Sequence, residues 1–306
     1  MAAIKSYKGF DKNLKCRDFQ YEIGKEYEMD GEIKVCNRGF HACESPFDVF
    51  DHYTMIDSRF CEVEQDGNIS KEDRGTKICS SKIKIKAELK LADMIYLGVE
   101  WLKEITSPEK IKTSIKDNSS GYGAKIGSSG YYAQIGSSGD GAKIGSSGDG
   151  AKIGSSGNDA KIGSSGNYAK IGSSGYDAQI GSSGDDAQIG SSGDGAQIGS
   201  SGDDAKIGSS GNYAQIGSSG YGAKIGSSGY GAKIDSTGEG CVIMCAGINS
   251  VAKASKGSWI TLSEWSYSDK KQRYIPVCVK TEFVDGEKIK ADTYYKLAGG
   301  VFKEIQ

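Results

Sequence analysis

An excess of charge of either sign is missing from this chain. Its 38 lysines and arginines face 40 aspartates and glutamates, a formal net charge of −2. No broad basic footprint for nucleic acid therefore exists. No apolar run reaches membrane-spanning length, and Met1-Ala2-Ala3-Ile4-Lys5 lacks the apolar core of a secretion signal. The expectation is a cytoplasmic protein with no membrane contact. Eight irregularly spaced cysteines without such a signal read as reduced thiols, not as a disulfide framework. The Gly-Gly-x-Gly-x-Asp turn of calcium-binding β-rolls is absent, which argues against metal dependence. No glycine-rich phosphate loop precedes a helix, and the regular threonine arrays expected of an ice-binding surface are missing. No metal and no cofactor are expected.

What is present is a period. From Gly121 to Ile234 the sequence returns every nine residues as Gly-x-x-Ala-(Lys/Gln)-Ile-Gly-Ser-Ser, and Gly229 opens the thirteenth copy. A fixed period signals a stacked architecture. Ala and Ile stand two apart, so in an extended segment both point inward while the Lys or Gln between them points out. Nine is odd, so a continuous strand would change face at every copy, and a turn must reset it. The Gly-Ser-Ser-Gly segment is expected to be that turn, with glycine supplying positive φ and serine bonding its own backbone. The fold class is mainly β: a β-solenoid, expected with two units per flattened coil, although three units per coil would also satisfy the pattern. Six or seven coils at roughly 4.8 Å would make a rod on the order of 30 Å long. A flexible Gly/Ser linker would have no reason to keep Ile and Ala in strict register.

The flanks have ordinary composition. Residues 1–118 read as a small α+β head domain, 119–255 as the solenoid, and 256–306 as a β-rich C-terminal cap. In the head, Phe19–Ile23, Glu32–Cys36, Arg59–Glu64 and Lys82–Lys86 read as strands. Ser45 caps a short helix with Pro46 at its first position, and Leu91–Leu102 fits an amphipathic helix. After Gly238 the repeat decays, as a terminal coil does when it meets a cap. Trp259–Leu262 and Tyr274–Lys280 read as strands, Val284–Glu287 as a hairpin turn, and Thr293–Leu297 pairs with Val301–Lys303 through Ala298-Gly299-Gly300. An exposed edge strand in this cap would allow a homodimer.

The most distinctive local string is Cys36-Asn37-Arg38-Gly39-Phe40-His41-Ala42-Cys43-Glu44-Ser45-Pro46-Phe47-Asp48-Val49-Phe50. With Cys16-Arg17-Asp18-Phe19-Gln20-Tyr21 it resembles an uncharacterised family of phage and prophage proteins that carry Gly-Phe-His-Ala-Cys-Glu followed by Pro-Leu-Asp-Val-Phe. Phe47 replaces the usual Leu. The resemblance implies a viral or mobile-element origin, hence a host cytoplasm, and supplies no activity. Cys36, His41 and Cys43, with Cys61 or Cys16, have zinc-ligand chemistry, but their spacing is not that of a knuckle and core packing explains them as well. His41 and Cys43 share one face of a strand, yet no oxyanion loop or orienting acid accompanies them. No catalytic residue is assigned, and the chain is read as a non-enzyme.

The variable position after each leading glycine forms ladders along the rod. Tyr122, Tyr131, Tyr176, Tyr221 and Tyr230 supply aromatic rungs, and Asp140, Asp149, Asp185, Asp194 and Asp203 supply acidic ones. These ten residues are the candidate binding surface, since tyrosine covers area at low entropic cost. Turn chemistry alone would also place Asp and Asn there. Mimicry of DNA by the acidic columns meets an obstacle, because the repeat lysines balance the acids unless the two segregate on different faces. The leading expectation is therefore a non-enzymatic phage-type protein whose solenoid captures or inhibits a host protein or complex, with an immune component as one such target. A structural spacer or virion-associated shaft, and an enzyme or small-ligand binder in the head, are the alternatives.

Overall fold

A computed structural model describes residues 3–72, 75–106 and 121–305. The chain divides into two compact units, Met1–Trp101 and Leu102–Gln306.

The first unit is built on a five-stranded sheet. Its members are β1 (Ile4–Phe10), β4 (Glu26–Glu28), β5 (Phe40–Cys43), β6 (Arg59–Lys71) and β7 (Lys77–Leu89), with β2 (Lys15–Cys16) and β3 (Phe19–Gln20) forming a separate small ribbon. The order is β4-β7-β5-β1-β6, and β6 also bonds β7. The sheet therefore closes on itself through β1, β5, β6 and β7, which removes most of its edges. Alternation drives the closure: Cys61, Val63, Ile83 and Ile85 are buried and join Phe10, Leu14, Tyr21 and Phe40 in the core. The expected strand at Glu32–Cys36 does not form; this stretch is a loop held by a bridge between Lys34 and Arg38. Only Phe19–Gln20 of the expected Phe19–Ile23 strand is extended. The short helix is a 3-10 turn, Phe47–Asp51, with the Ser45 hydroxyl accepting the Asp48 N–H. Helix α1 spans Leu91–Ile105.

The second unit contains the solenoid, with two repeat units per coil and eight coils. Each strand pairs in parallel with the strand eighteen residues on, Ile144 against Ile162 and Ile153 against Ile171. Two stacks result, one running from Lys125–Ser128 to Val251–Ala254 and the other from Gln134–Ser137 to Trp259–Ser268. Ala and Ile fill the space between them and are almost wholly buried from Ala142 onward. The corner lies elsewhere than the sequence suggested. The strand is Lys-Ile-Gly-Ser, and the turn is the following Ser-Gly-x-x. The residue with positive φ is the second x, as at Gly141, Asp159, Asp177 and Tyr168. The leading glycine has a different reason to be there: a Cβ on Gly175 would lie 2.0 Å from the carbonyl oxygen of Gly157 in the coil below. The strand glycine of the second stack faces open space, since a Cβ on Gly190 meets nothing within 4 Å.

The chain leaves the solenoid through its last rung. Trp259–Ser268 continues the second stack and turns back into Arg273–Phe283, while Tyr294–Ala298 and Val301–Ile305 extend the first. Trp259–Leu262 thus belongs to the solenoid stack, and Val284–Glu287 lies in a longer connection and not in a tight hairpin. The two glycine classes separate by experiment. Gly175→Ala should lower the melting temperature markedly, whereas Gly190→Ala should leave it unchanged or raise stability by about 0.5 kcal/mol through the unfolded state, both read by thermal melts.

Candidate functional site

The solenoid candidates come first because the sequence singled them out. The structure divides them between the two edges of the flattened coil. Tyr122, Asp140, Tyr176, Asp194 and Tyr230 precede strands of the first stack; Tyr131, Asp149, Asp185, Asp203 and Tyr221 precede strands of the second. The carboxylates are engaged. Asp140 Oδ1 accepts the N–H of Asn158 at 2.8 Å, Asp149 that of Asn167, Asp185 that of Asp203, Asp194 that of Asn212 and Asp203 that of Tyr221. Asn158, Asn167 and Asn212 do the same for the coil above them. These side chains satisfy corner N–H groups that the strand ladder leaves unpaired. The tyrosines have no such task. Tyr122 and Tyr131 are 86% and 78% exposed. Lys152, Lys170, Lys206 and Lys224 stand exposed on the second stack, and Lys224 lies 3.8 Å from Asp204.

The head carries the chemically richer place, a cavity of approximately 970 Å³. At its wall is Lys8, in the middle of β1 between buried neighbours, with only 4% of its surface exposed. Its Nζ donates to the carbonyl of His41 at 2.8 Å and approaches Cys16 Sγ at 3.5 Å. It also lies over the rings of Phe10 and Tyr21. Burial holds its pKa below the ordinary lysine value, and the neighbouring Cys16 opposes that shift. Cys16 reaches this point because Arg17, with φ of 54°, tightens the β2–β3 turn. Tyr53 Oη donates to the same sulfur at 3.0 Å. Gly9 makes that contact sterically feasible, since a Cβ there would sit 2.4 Å from the Tyr53 ring. Burial pushes the Tyr21 and Tyr53 hydroxyls well above the usual phenol range. Phe19, Tyr21, Tyr27 and Phe40 pack edge to face around one another and supply the aromatic wall.

His41 and Cys43 do share a face of β5, as their spacing implied. His41 Nε2 accepts the Cys36 N–H at 3.0 Å, which assigns the neutral ring with its proton on Nδ1. Burial first, then the positive charges of Lys8 and Lys77, hold its pKa below the ordinary value. Cys43 is buried. Cys61 and Cys79 are thiols whose pKa burial pushes up to about 12 and about 11. All eight cysteines are unbridged, and among the described residues no group of three or more His, Cys, Asp or Glu is placed to hold a metal ion. Sequence reasoning passed over Lys8 and Tyr53. The signal for Lys8 was its position inside the otherwise poorly charged run Ser6-Tyr7-Lys8-Gly9-Phe10. Tyr53 carried no local signal, because only the fold brings it across Gly9.

The corner bonds and the histidine each give a measurable outcome. Asp185→Ala should cost roughly 1 kcal/mol, and Asp185→Asn, which keeps the acceptor, should cost much less, both by chemical denaturation. In a titration followed by NMR, the His41 ring should protonate at lower pH than an unperturbed histidine. Its folded pKa lies below the unfolded one, so its contribution to stability is complete above the unfolded pKa and is lost as pH falls through the folded value.

Among the described residues no helix is long and apolar enough to cross a membrane. A search of curated proteins and a search of solved structures each found no match. Residues 4–97, which include Lys8, Cys16, His41 and Tyr53, match the model of a family described as a domain of unknown function, DUF7666.

Proposed function

We propose that the head is a binding module for a small planar ligand bearing negative charge, acting without turnover. The observation that carries this reading is Lys8. A buried cation is costly unless an anion or several hydrogen bonds compensate it. Among the described residues, Lys8 meets a carbonyl and a sulfur but no carboxylate. An anionic ligand would supply the missing charge at Lys8; Arg17 and Lys77 line the same cavity, as do Asp18, Glu26 and Glu28. Phe19, Tyr21, Tyr27 and Tyr53 offer rings against which a planar group stacks. The volume lies within the range of small-molecule sites. The resemblance of the Cys36–Phe50 string to phage and prophage proteins supports a setting in an infected host cell, where such a module would sequester a host small molecule.

A specific observation also favours a second reading, in which the solenoid captures a host macromolecule. Tyr132, Tyr168 and Tyr213 occupy left-handed backbone, with φ of 56°, 58° and 56°. That conformation costs a bulky residue about 1 kcal/mol relative to glycine, and glycine holds the same position in other coils. Turn chemistry explains the aspartates and asparagines but not these tyrosines, so an exposed aromatic contact is a better reason for them.

Calorimetric titration of the full chain with a panel of nucleotides and aryl carboxylates should find one-to-one binding for at least one member. Lys8→Met should abolish that binding while leaving the unliganded protein at least as stable, because a buried charge is removed. Absence of binding across the panel, or binding indifferent to Lys8→Met, would sink the first reading. For the second, replacing Tyr132, Tyr168 and Tyr213 with glycine should raise stability and release any partner captured from host lysate.

A further inference from the structure

The open face of the second stack changes character at its C-terminal end. From Gln134 to Lys224 its outward positions are lysine or glutamine, and from Gly136 to Gly226 glycine. In the next rung these become Val242 and Met244, exposed by 49% and 54%. Cross-strand register continues the first row through Trp259 to Phe283, and Val279 lies beyond, opposite Ser263. Trp259, Phe283 and Val279 are 47%, 41% and 63% exposed. The row therefore runs to the last strand of the sheet, Arg273–Phe283, without being covered by the described residues.

That strand is also an open edge. Trp259 sends its N–H to Cys241 O on the solenoid side, and Val284 donates to Ser258 O. Alternation then turns the N–H and C=O groups of Val279, Thr281 and Phe283 away from the Trp259–Ser268 strand and out of the sheet. Among the described residues no turn or loop bonds them. Pro276 lacks an N–H and limits any further pairing to the residues that follow it.

We infer that this edge pairs with a second copy of the chain, antiparallel and centred on Thr281. The residue types are self-complementary in that register. Val279 faces the partner's Phe283, Thr281 faces the partner's Thr281, and Lys280 faces the partner's Glu282. Each outward-directed pair exchanges both N–H···O bonds. Glu282 already holds Lys280 at 3.0 Å and Lys288 at 2.7 Å within its own chain, so pairing joins both protomers' charges into one cluster. Moving the centre by one residue sets Lys280 against the partner's Lys280, and like charges directly opposite are destabilising. The two sheets then become continuous, and the apolar rows of the two protomers meet at the Val279–Phe283 pairs. The inference is independent of any ligand in the head.

Sedimentation equilibrium of the full chain tests it. The expected mass is twice the 32.4 kDa of one chain, falling on dilution. Thr281→Pro should give the single-chain mass while keeping a cooperative melt, since an edge strand tolerates proline where its N–H faces solvent but cannot then pair there. Glu282→Lys should also give the single-chain mass, and adding Lys280→Glu should restore the dimer, which keeps the test decisive if the proline variant misfolds. A wild-type protein of single-chain mass at every concentration overturns the inference, as does a dimer unaffected by both single substitutions. A different protein held on this edge while the chain alone stays monomeric overturns it equally.

Discussion

The second unit depends on how closely one coil approaches the next. Parallel strands eighteen residues apart stack through backbone hydrogen bonds, and their spacing of about 4.8 Å leaves no room for a side chain where corner backbones cross. The leading glycine of each unit is the residue that permits this approach, as the contact of Gly175 with Gly157 shows. Everything else in the coil follows from it. The inward Ala and Ile need only fill a narrow slot, and the corner Asp and Asn are free to bond the N–H above. Serine adds a cost of its own: hydroxyls such as those of Ser164 and Ser182 are buried without a hydrogen-bond partner among the described residues. The stack tolerates them because its stability is collective.

The head is governed by a different constraint, closure of a small sheet around a core that contains a lysine. Lys8 occupies an inward position in β1 where an apolar residue would satisfy the barrel better. Its ammonium is accommodated by a carbonyl, a sulfur and two aromatic faces. A natural domain that departs from a consistent core at one point generally does so at a functional site. In this domain the departure lies beside the cavity, whereas the neighbouring thiols Cys61 and Cys79 are buried.

The C-terminal end follows the same logic in reverse. A repeat must stop, and its last coil has no further coil to bury it. Here Cys241, Cys245 and the turned-back strands close the core, while the outward columns exchange lysine and glycine for valine, methionine, tryptophan and phenylalanine. Closing the interior and greasing the exterior are separate events, and only the first is required by stacking.

The periodic part of the molecule was largely legible in the chain. Ala and Ile two apart, returning every nine residues, determine a strand, an inward face and a turn, because side-chain alternation and the odd period leave few other arrangements. Gly-Ser-Ser-Gly reads as the turn because glycine suggests positive φ, whereas the leading glycine serves close approach and positive φ falls two residues later. Nothing local distinguishes these two uses; the contact partner lies in another coil. The head was legible only as scattered elements. Its β2–β3 ribbon, the loop at Glu32–Cys36 and the meeting of Lys8, Cys16, His41 and Tyr53 come from distant segments, brought together by the closure of β1, β5, β6 and β7. Repetition writes its long-range contacts into short-range spacing, so sequence alone determined the solenoid. A closed sheet and the cavity against it have no such period, and the tertiary structure decided them.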